Sequence, residues 1–117
     1  MTRLRFALGV SAATLALVVA APATAATKLI ATVGPGATIT LKKAGKKVTS
    51  LPAGAYTITV QDRSSFHNFS LSGPALKKST TVGFVGTKTW TVMLRKGSYR
   101  YVCAPHASSM RGSFSVR

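Results

Sequence analysis

Beyond residue 26 the chain alternates. Tyr56, Ile58 and Val60 are apolar with threonines between them, Trp90, Val92 and Leu94 repeat the pattern, and Phe114 with Val116 closes it. A period of two puts such residues on one face of a β-strand, so each run predicts a strand with one side in a core. Strands are expected near 28–33, 37–42, 46–50, 55–61, 67–71, 88–94, 98–103 and 112–116. Gly34-Pro35-Gly36, Ala44-Gly45, Pro52-Ala53-Gly54, Gly73-Pro74 and Lys96-Gly97 separate them with turn residues. Helical periodicity is nearly absent. Eight short strands so spaced predict an all-β protein, an antiparallel sandwich. The stretch 72–87 lacks clean alternation and is expected to be an irregular connection.

The first residues follow another rule. Arg3 and Arg5 make a basic start, Phe6 to Ala20 an apolar run, and Ala23-Thr24-Ala25 a small-residue cleavage signal. Residues 1–25 therefore read as a secretory signal peptide and 26–117 as one domain, with cleavage after Ala25 or Ala26. Gly9, Ser11 and Thr14 interrupt the apolar run, which argues against a stable transmembrane anchor. The product is expected outside the cytoplasmic membrane, in a periplasm, in the medium or at the cell envelope, and as a monomer.

Export changes the meaning of the charge. The chain has sixteen basic residues and one acid, Asp62; without Arg3 and Arg5 fourteen remain against one, a charge of +13. Inside a cell this would indicate nucleic-acid binding. In an exported protein the counter-surface is an acidic redox partner or an anionic envelope, and no nucleic acid is expected. Lys42-Lys43, Lys46-Lys47 and Lys77-Lys78 lie in or beside the expected turns, where they also serve as a solvated rim. A single carboxylate leaves no acid/base pair, no orienting group for a catalytic histidine and no hard-cation site. No catalytic residues are identified, and the protein is not expected to be an enzyme.

One cysteine excludes an intramolecular disulfide, so Cys103 is a buried thiol, an intermolecular half-cystine or a metal ligand. Its neighbours favour the last. His106 and Met110 follow within eight positions, and the only other histidine, His67, heads an earlier apolar row with Phe69 and Leu71. A thiolate, two imidazoles and a weak thioether form a donor set that selects copper. Zinc on Cys103, His67 and His106 is the poorer fit, because structural zinc sites normally add another thiolate. Pro105 stiffens the turn between Cys103 and His106, while Met93 lies mid-strand as a packing or surface residue.

The run Gly97-Ser98-Tyr99-Arg100-Tyr101-Val102-Cys103, the loop Cys103-Ala104-Pro105-His106-Ala107-Ser108-Ser109-Met110, the strand Gly112-Ser113-Phe114-Ser115-Val116 and upstream His67-Asn68-Phe69 together resemble the cupredoxin, or small blue-copper, family, in the plastocyanin, pseudoazurin and amicyanin pattern. The resemblance implies a Greek-key β-sandwich of about eight strands and one mononuclear type 1 copper held at one end by His67, Cys103, His106 and Met110. It also implies that His106 reaches the surface through an apolar patch, here Phe66, Pro105 and Ala107. The chain departs from the pattern twice. Three residues separate His106 from Met110, where plastocyanin-like loops have four and amicyanin-like loops two, so the axial distance does not transfer. Ala104 stands where a hydroxyl residue commonly bonds the asparagine, so Asn68 is expected to brace the cysteine loop through backbone groups. Asn68-Phe69-Ser70 is read as an accidental glycosylation sequon.

Three functions compete on this reading. An exported electron carrier cycling between Cu(I) and Cu(II) comes first. Copper sequestration or delivery without electron shuttling is the second, and a metal-free basic sandwich at the envelope the third. The four-residue donor set speaks against the third.

Overall fold

The computed structural model describes residues 7–20 and 25–117. Its strands are β1 Thr27–Val33, β2 Ile39–Lys43, β3 Lys46–Lys47, β4 Ser50–Leu51, β5 Gly54–Asp62, β6 Ser70–Gly73, β7 Leu76–Ser79, β8 Gly86–Leu94, β9 Gly97–Val102 and β10 Arg111–Val116. One turn of 3-10 helix, Ala104–His106, stands between the last two. Two five-stranded sheets form, in the orders β3-β2-β1-β5-β8 and β4-β10-β9-β6-β7. This is the all-β Greek-key sandwich that the alternation and the family pattern led us to expect.

The apolar rows meet between the sheets. Leu29, Ala31 and Val33 of β1 and Tyr56, Ile58 and Val60 of β5 face Leu71, Tyr99, Tyr101, Phe114 and Val116 of the other sheet, all buried. Burying side chains of this size contributes roughly 1.5–3 kcal/mol each for the larger aliphatic and aromatic groups, which is what holds a domain without a disulfide together. Tyr99 stacks on Phe114 at 5.2 Å and Tyr101 on Phe69 at 5.5 Å. Two of these rings lie against glycine backbone: a Cβ at Gly73 would enter the Tyr99 ring, and one at Gly112 the Tyr101 ring.

Pairing direction differs from the antiparallel expectation. β1 runs parallel to β5, from Thr27 opposite Tyr56 to Val33 opposite Asp62, and β4 runs parallel to β10. Alternation reports which face is buried and carries no information on direction, so both sheets emerge mixed. The single strand expected at 46–50 is two, because the chain changes sheets at buried Val48, whose N–H donates to the Leu41 carbonyl at 2.9 Å. The stretch 72–87 contains β7, which pairs with β6 across a turn where Ala75 has φ 53°. Lys77-Lys78 therefore sits in a strand, and its polar run is what hid that strand. His67 also lies outside the strand drawn through it, since β6 begins at Ser70 and Asn68 is buried along with His67 and Phe69.

Residues 7–20 have no regular secondary structure and are exposed. No helix among the described residues is long and apolar enough to cross a membrane. Of the expected signal, Arg3, Arg5, Phe6, Ala23 and Thr24 lie outside the described residues.

Candidate metal centre

The strand ends place the donors. β9 delivers Cys103 just past Val102 with its side chain fully buried, continuing the inward row of Tyr99 and Tyr101. The 3-10 turn then starts at Ala104-Pro105, with Cys103 as its N-cap residue. Proline suits this position because its fixed φ matches a helical start and its missing N–H has no partner to lose there. Three short backbone bonds close the turn: His106 N–H donates to the Cys103 carbonyl at 3.0 Å, Met110 N–H to the His106 carbonyl at 2.8 Å, and Cys103 N–H to the Met110 carbonyl at 2.9 Å. The loop thereby returns to its starting point.

His67 reaches the same point from the other side. Its Nδ1 lies 3.1 Å from His106 Nδ1 and 3.6 Å from Cys103 Sγ, which is 3.7 Å from His106 Nδ1. The two rings meet edge-on, centroids 4.8 Å apart. Three donor atoms thus form a small triangle. Imidazole nitrogens and a thiolate sharing one ion at about 2.0–2.3 Å in a trigonal plane would stand roughly 3.5–3.8 Å apart. Both sulfur–nitrogen distances match, and the nitrogen pair is a few tenths of an ångström closer. With both rings protonated on Nε2, two lone pairs and a thiolate point at one spot, an arrangement that a soft cation stabilises. The residues fit copper.

Asn68 ties the two halves together. Its Oδ1 accepts the Ala104 N–H at 2.7 Å, its side-chain amide donates to the Thr80 carbonyl at 3.0 Å, and its own N–H points at Cys103 Sγ at 3.5 Å. The side chain braces the cysteine loop through backbone, as the alanine at 104 requires. A buried, doubly bonded amide is also a poor glycosylation acceptor. Thr80, which sequence reasoning passed over, completes the brace: its Oγ1 accepts the Phe69 N–H at 2.9 Å and its own N–H donates to the Phe69 carbonyl at 3.0 Å. It sits in the stretch without alternation, where no local signal marks it.

Asp62 ends the inward row of β5 and is 2% exposed. Its Oδ1 accepts the Ser64 N–H at 3.1 Å, while Oδ2 has no partner within the protein. Burial pushes its carboxyl above the usual range, against the Ser64 amide and nearby His67, which favour the charged form. The one acidic side chain of the protein is thus buried near His67.

Met110 is 1% exposed, joined to the site by its backbone and packed in the core, whereas Met93 is 62% exposed. His106, Pro105 and Phe66 are exposed and Ala107 is half-buried. The site thus opens to solvent at the His106 imidazole, whose chain neighbours are Pro105 and Ala107.

No family model matches the chain, and no curated protein does either. Solved structures do. Reduced rusticyanin is 24% identical with a TM-score of 0.57, the match covering 77% of this chain and 78% of that one. Rusticyanin from Thiobacillus ferrooxidans gives 23% identity, a TM-score of 0.56 and coverage of 77% and 76%. A methionine variant of oxidised amicyanin gives 17%, 0.51, and 76% and 81%. The likeness to these proteins lies in the two-sheet sandwich: the chain has the cupredoxin fold.

Proposed function

We propose that this protein is an exported type 1 copper protein that carries single electrons and catalyses no reaction of its own. The observation that carries the reading is the triangle of His67 Nδ1, Cys103 Sγ and His106 Nδ1, with sides of 3.1, 3.6 and 3.7 Å. His67, Cys103 and His106 would hold the copper, with Met110 as a weak thioether donor, and the metal would supply a Cu(I)/Cu(II) couple that rearranges little on electron transfer. The chain's residues account for the rest. Asn68 and Thr80 hold the two donor segments in register. The Asn68 N–H toward Sγ withdraws charge from the sulfur and favours the reduced state. Exposed His106, which follows exposed Pro105 in the turn, is the contact through which an electron enters or leaves.

Complete burial of Cys103 weighs against a delivery role, since handing copper on requires a partner's ligand to reach the thiolate. The similarity to rusticyanin, described as a copper protein, supports the metal assignment. A mature charge of +13 supports an acidic redox partner or an anionic envelope surface, met through attraction that fades as salt rises. Titrating Cu(II) into the purified protein tests the reading. One equivalent should bind with an intense visible thiolate charge-transfer band, and Cys103→Ser should lack it. Colour retained in the serine variant would show that another donor is responsible.

A further inference from the structure

The cations are not spread evenly. The β2–β3 hairpin sets Lys42 directly opposite Lys47 and Lys43 opposite Lys46, two like-charge cross-strand pairs, each of which costs stability. β3 lies where the first sheet meets β10 of the second. There Lys47 and Arg111 are shared by two adjoining depressions, one of about 210 Å³ lined also by Lys42, Thr40 and Tyr101, the other of about 450 Å³ lined also by Arg100 and Ser113. Arg100 stands on β9 directly opposite Ser113 on β10 and Ser72 on β6, so its guanidinium is flanked by small hydroxyl side chains. Lys42, Lys47, Arg100 and Arg111 are all exposed. No acidic side chain is available to them at the surface, because the one acid of the sequence, Asp62, is buried against Ser64.

We propose that this seam is a binding site for a condensed phosphate anion, held by Lys42, Lys47, Arg100 and Arg111 with Ser113 as a hydroxyl donor. Guanidinium groups offer paired N–H donors matched to phosphoryl oxygens, and ammonium groups add compact charge. The repelling lysine pair then becomes an asset, since a multivalent anion between the two removes the repulsion that the bare hairpin carries. The combined space is larger than one orthophosphate and suits a short chain. A condensed phosphate concentrates charge on neighbouring phosphoryl groups, as the clustered cations require; a membrane or a phosphodiester polymer spreads its charge more widely. The proposal is independent of the copper reading, as no donor to the metal takes part.

The probe is sodium tripolyphosphate, titrated calorimetrically into the full chain with ionic strength held constant by sodium chloride, with and without copper. One-site binding is expected, about tenfold or more tighter than orthophosphate, together with a raised melting temperature and amide shifts at Gly112 and Ser113. Lys47→Gln with Arg100→Gln should weaken it by about tenfold or more. Lys77→Gln with Lys78→Gln, which removes the same charge from β7, should change it less than about twofold. Equal losses in the two double variants, binding that follows ionic strength alone, or binding to phosphatidylglycerol vesicles without binding to tripolyphosphate would each overturn the assignment.

Discussion

His67 and His106 carry the same ring nitrogen to the same point, but 9% of His67 is exposed on a segment tied to distant strands, whereas His106 is exposed on a loop closed by its own backbone. The segment 67–69 is held by bonds to Thr80, Ala104 and Cys103, eleven to thirty-six positions away along the chain. The loop 103–110 closes on its own backbone, with Asn68 as its long-range tie at Cys103 and Ala104. Long-range bonds exist only when the whole sandwich is formed, so the His67 side sets where the donors converge. Local bonds leave the other ring at the surface, so the His106 side sets what can reach them.

The largest effect should separate the two rings. His67→Gly and His106→Gly are both expected to lose the native visible band, and added imidazole should restore it in His106→Gly at lower concentration than in His67→Gly, because external ligand enters an exposed position more easily than a buried one. Spectral titration with imidazole reads this directly. Equal recovery would erase the distinction between a fixed and an accessible side.

The next effect tests the brace. Asn68→Ala leaves the Ala104 N–H and the Thr80 carbonyl without their partner, and should cost about 2–3 kcal/mol in denaturant unfolding. Ser109→Ala removes only an exposed hydroxyl contact of 3.4 Å to the His106 carbonyl and should stay within about 0.5 kcal/mol. Similar losses at the two positions would mean that both segments are anchored alike.

Met110 sharpens the comparison at the loop's end. Met110→Leu keeps the volume, so stability should fall by less than about 1.5 kcal/mol, yet the copper potential should rise as a weak donor to Cu(II) is lost. Met93→Leu, exposed on β8, should change neither. Protein-film voltammetry distinguishes them. An unmoved potential in the Met110 variant would place its thioether off the metal.

The smallest effect concerns Asp62, buried near His67. Its folded pKa is raised, so its contribution is fully present below the unfolded value, about 3.9, and is lost as pH rises through the folded value. Asp62→Asn keeps an oxygen for the Ser64 N–H and removes the buried charge. It should be more stable than the parent near neutral pH, by about 1 kcal/mol at most, with the gap closing as pH falls below the unfolded pKa. Melting temperatures across pH measure the gap. A constant difference would show that ionisation of Asp62 plays no part.

Much of this molecule was legible along the chain because burial leaves a local trace. The rows Tyr56-Ile58-Val60, Trp90-Val92-Leu94 and Phe114-Val116 mark strands, and all but half-buried Trp90 are buried where parity puts them. Cys103, His106 and Met110 are legible as a group because one loop carries them, and local closure needs no distant residue. Their convergence with His67 rested on parity, which is correct for the faces even though residues 67–69 are not strand.

Direction and partnership leave no such trace. Nothing in the alternation of β1 or β5 says that they run parallel, or that Val48 turns the chain from one sheet to the other. Thr80 is one more threonine until the fold sets its hydroxyl against Phe69 N–H, and Lys47 and Arg111 are sixty-four positions apart until β3 meets β10. Hydrophobic period and loop chemistry are properties of neighbouring residues, so sequence alone carried most of the strands, the sandwich and the grouping of His67, Cys103 and His106. Strand order, the Asn68 brace and the cationic seam depend on which elements pack together, a choice that only the free energy of the complete core decides.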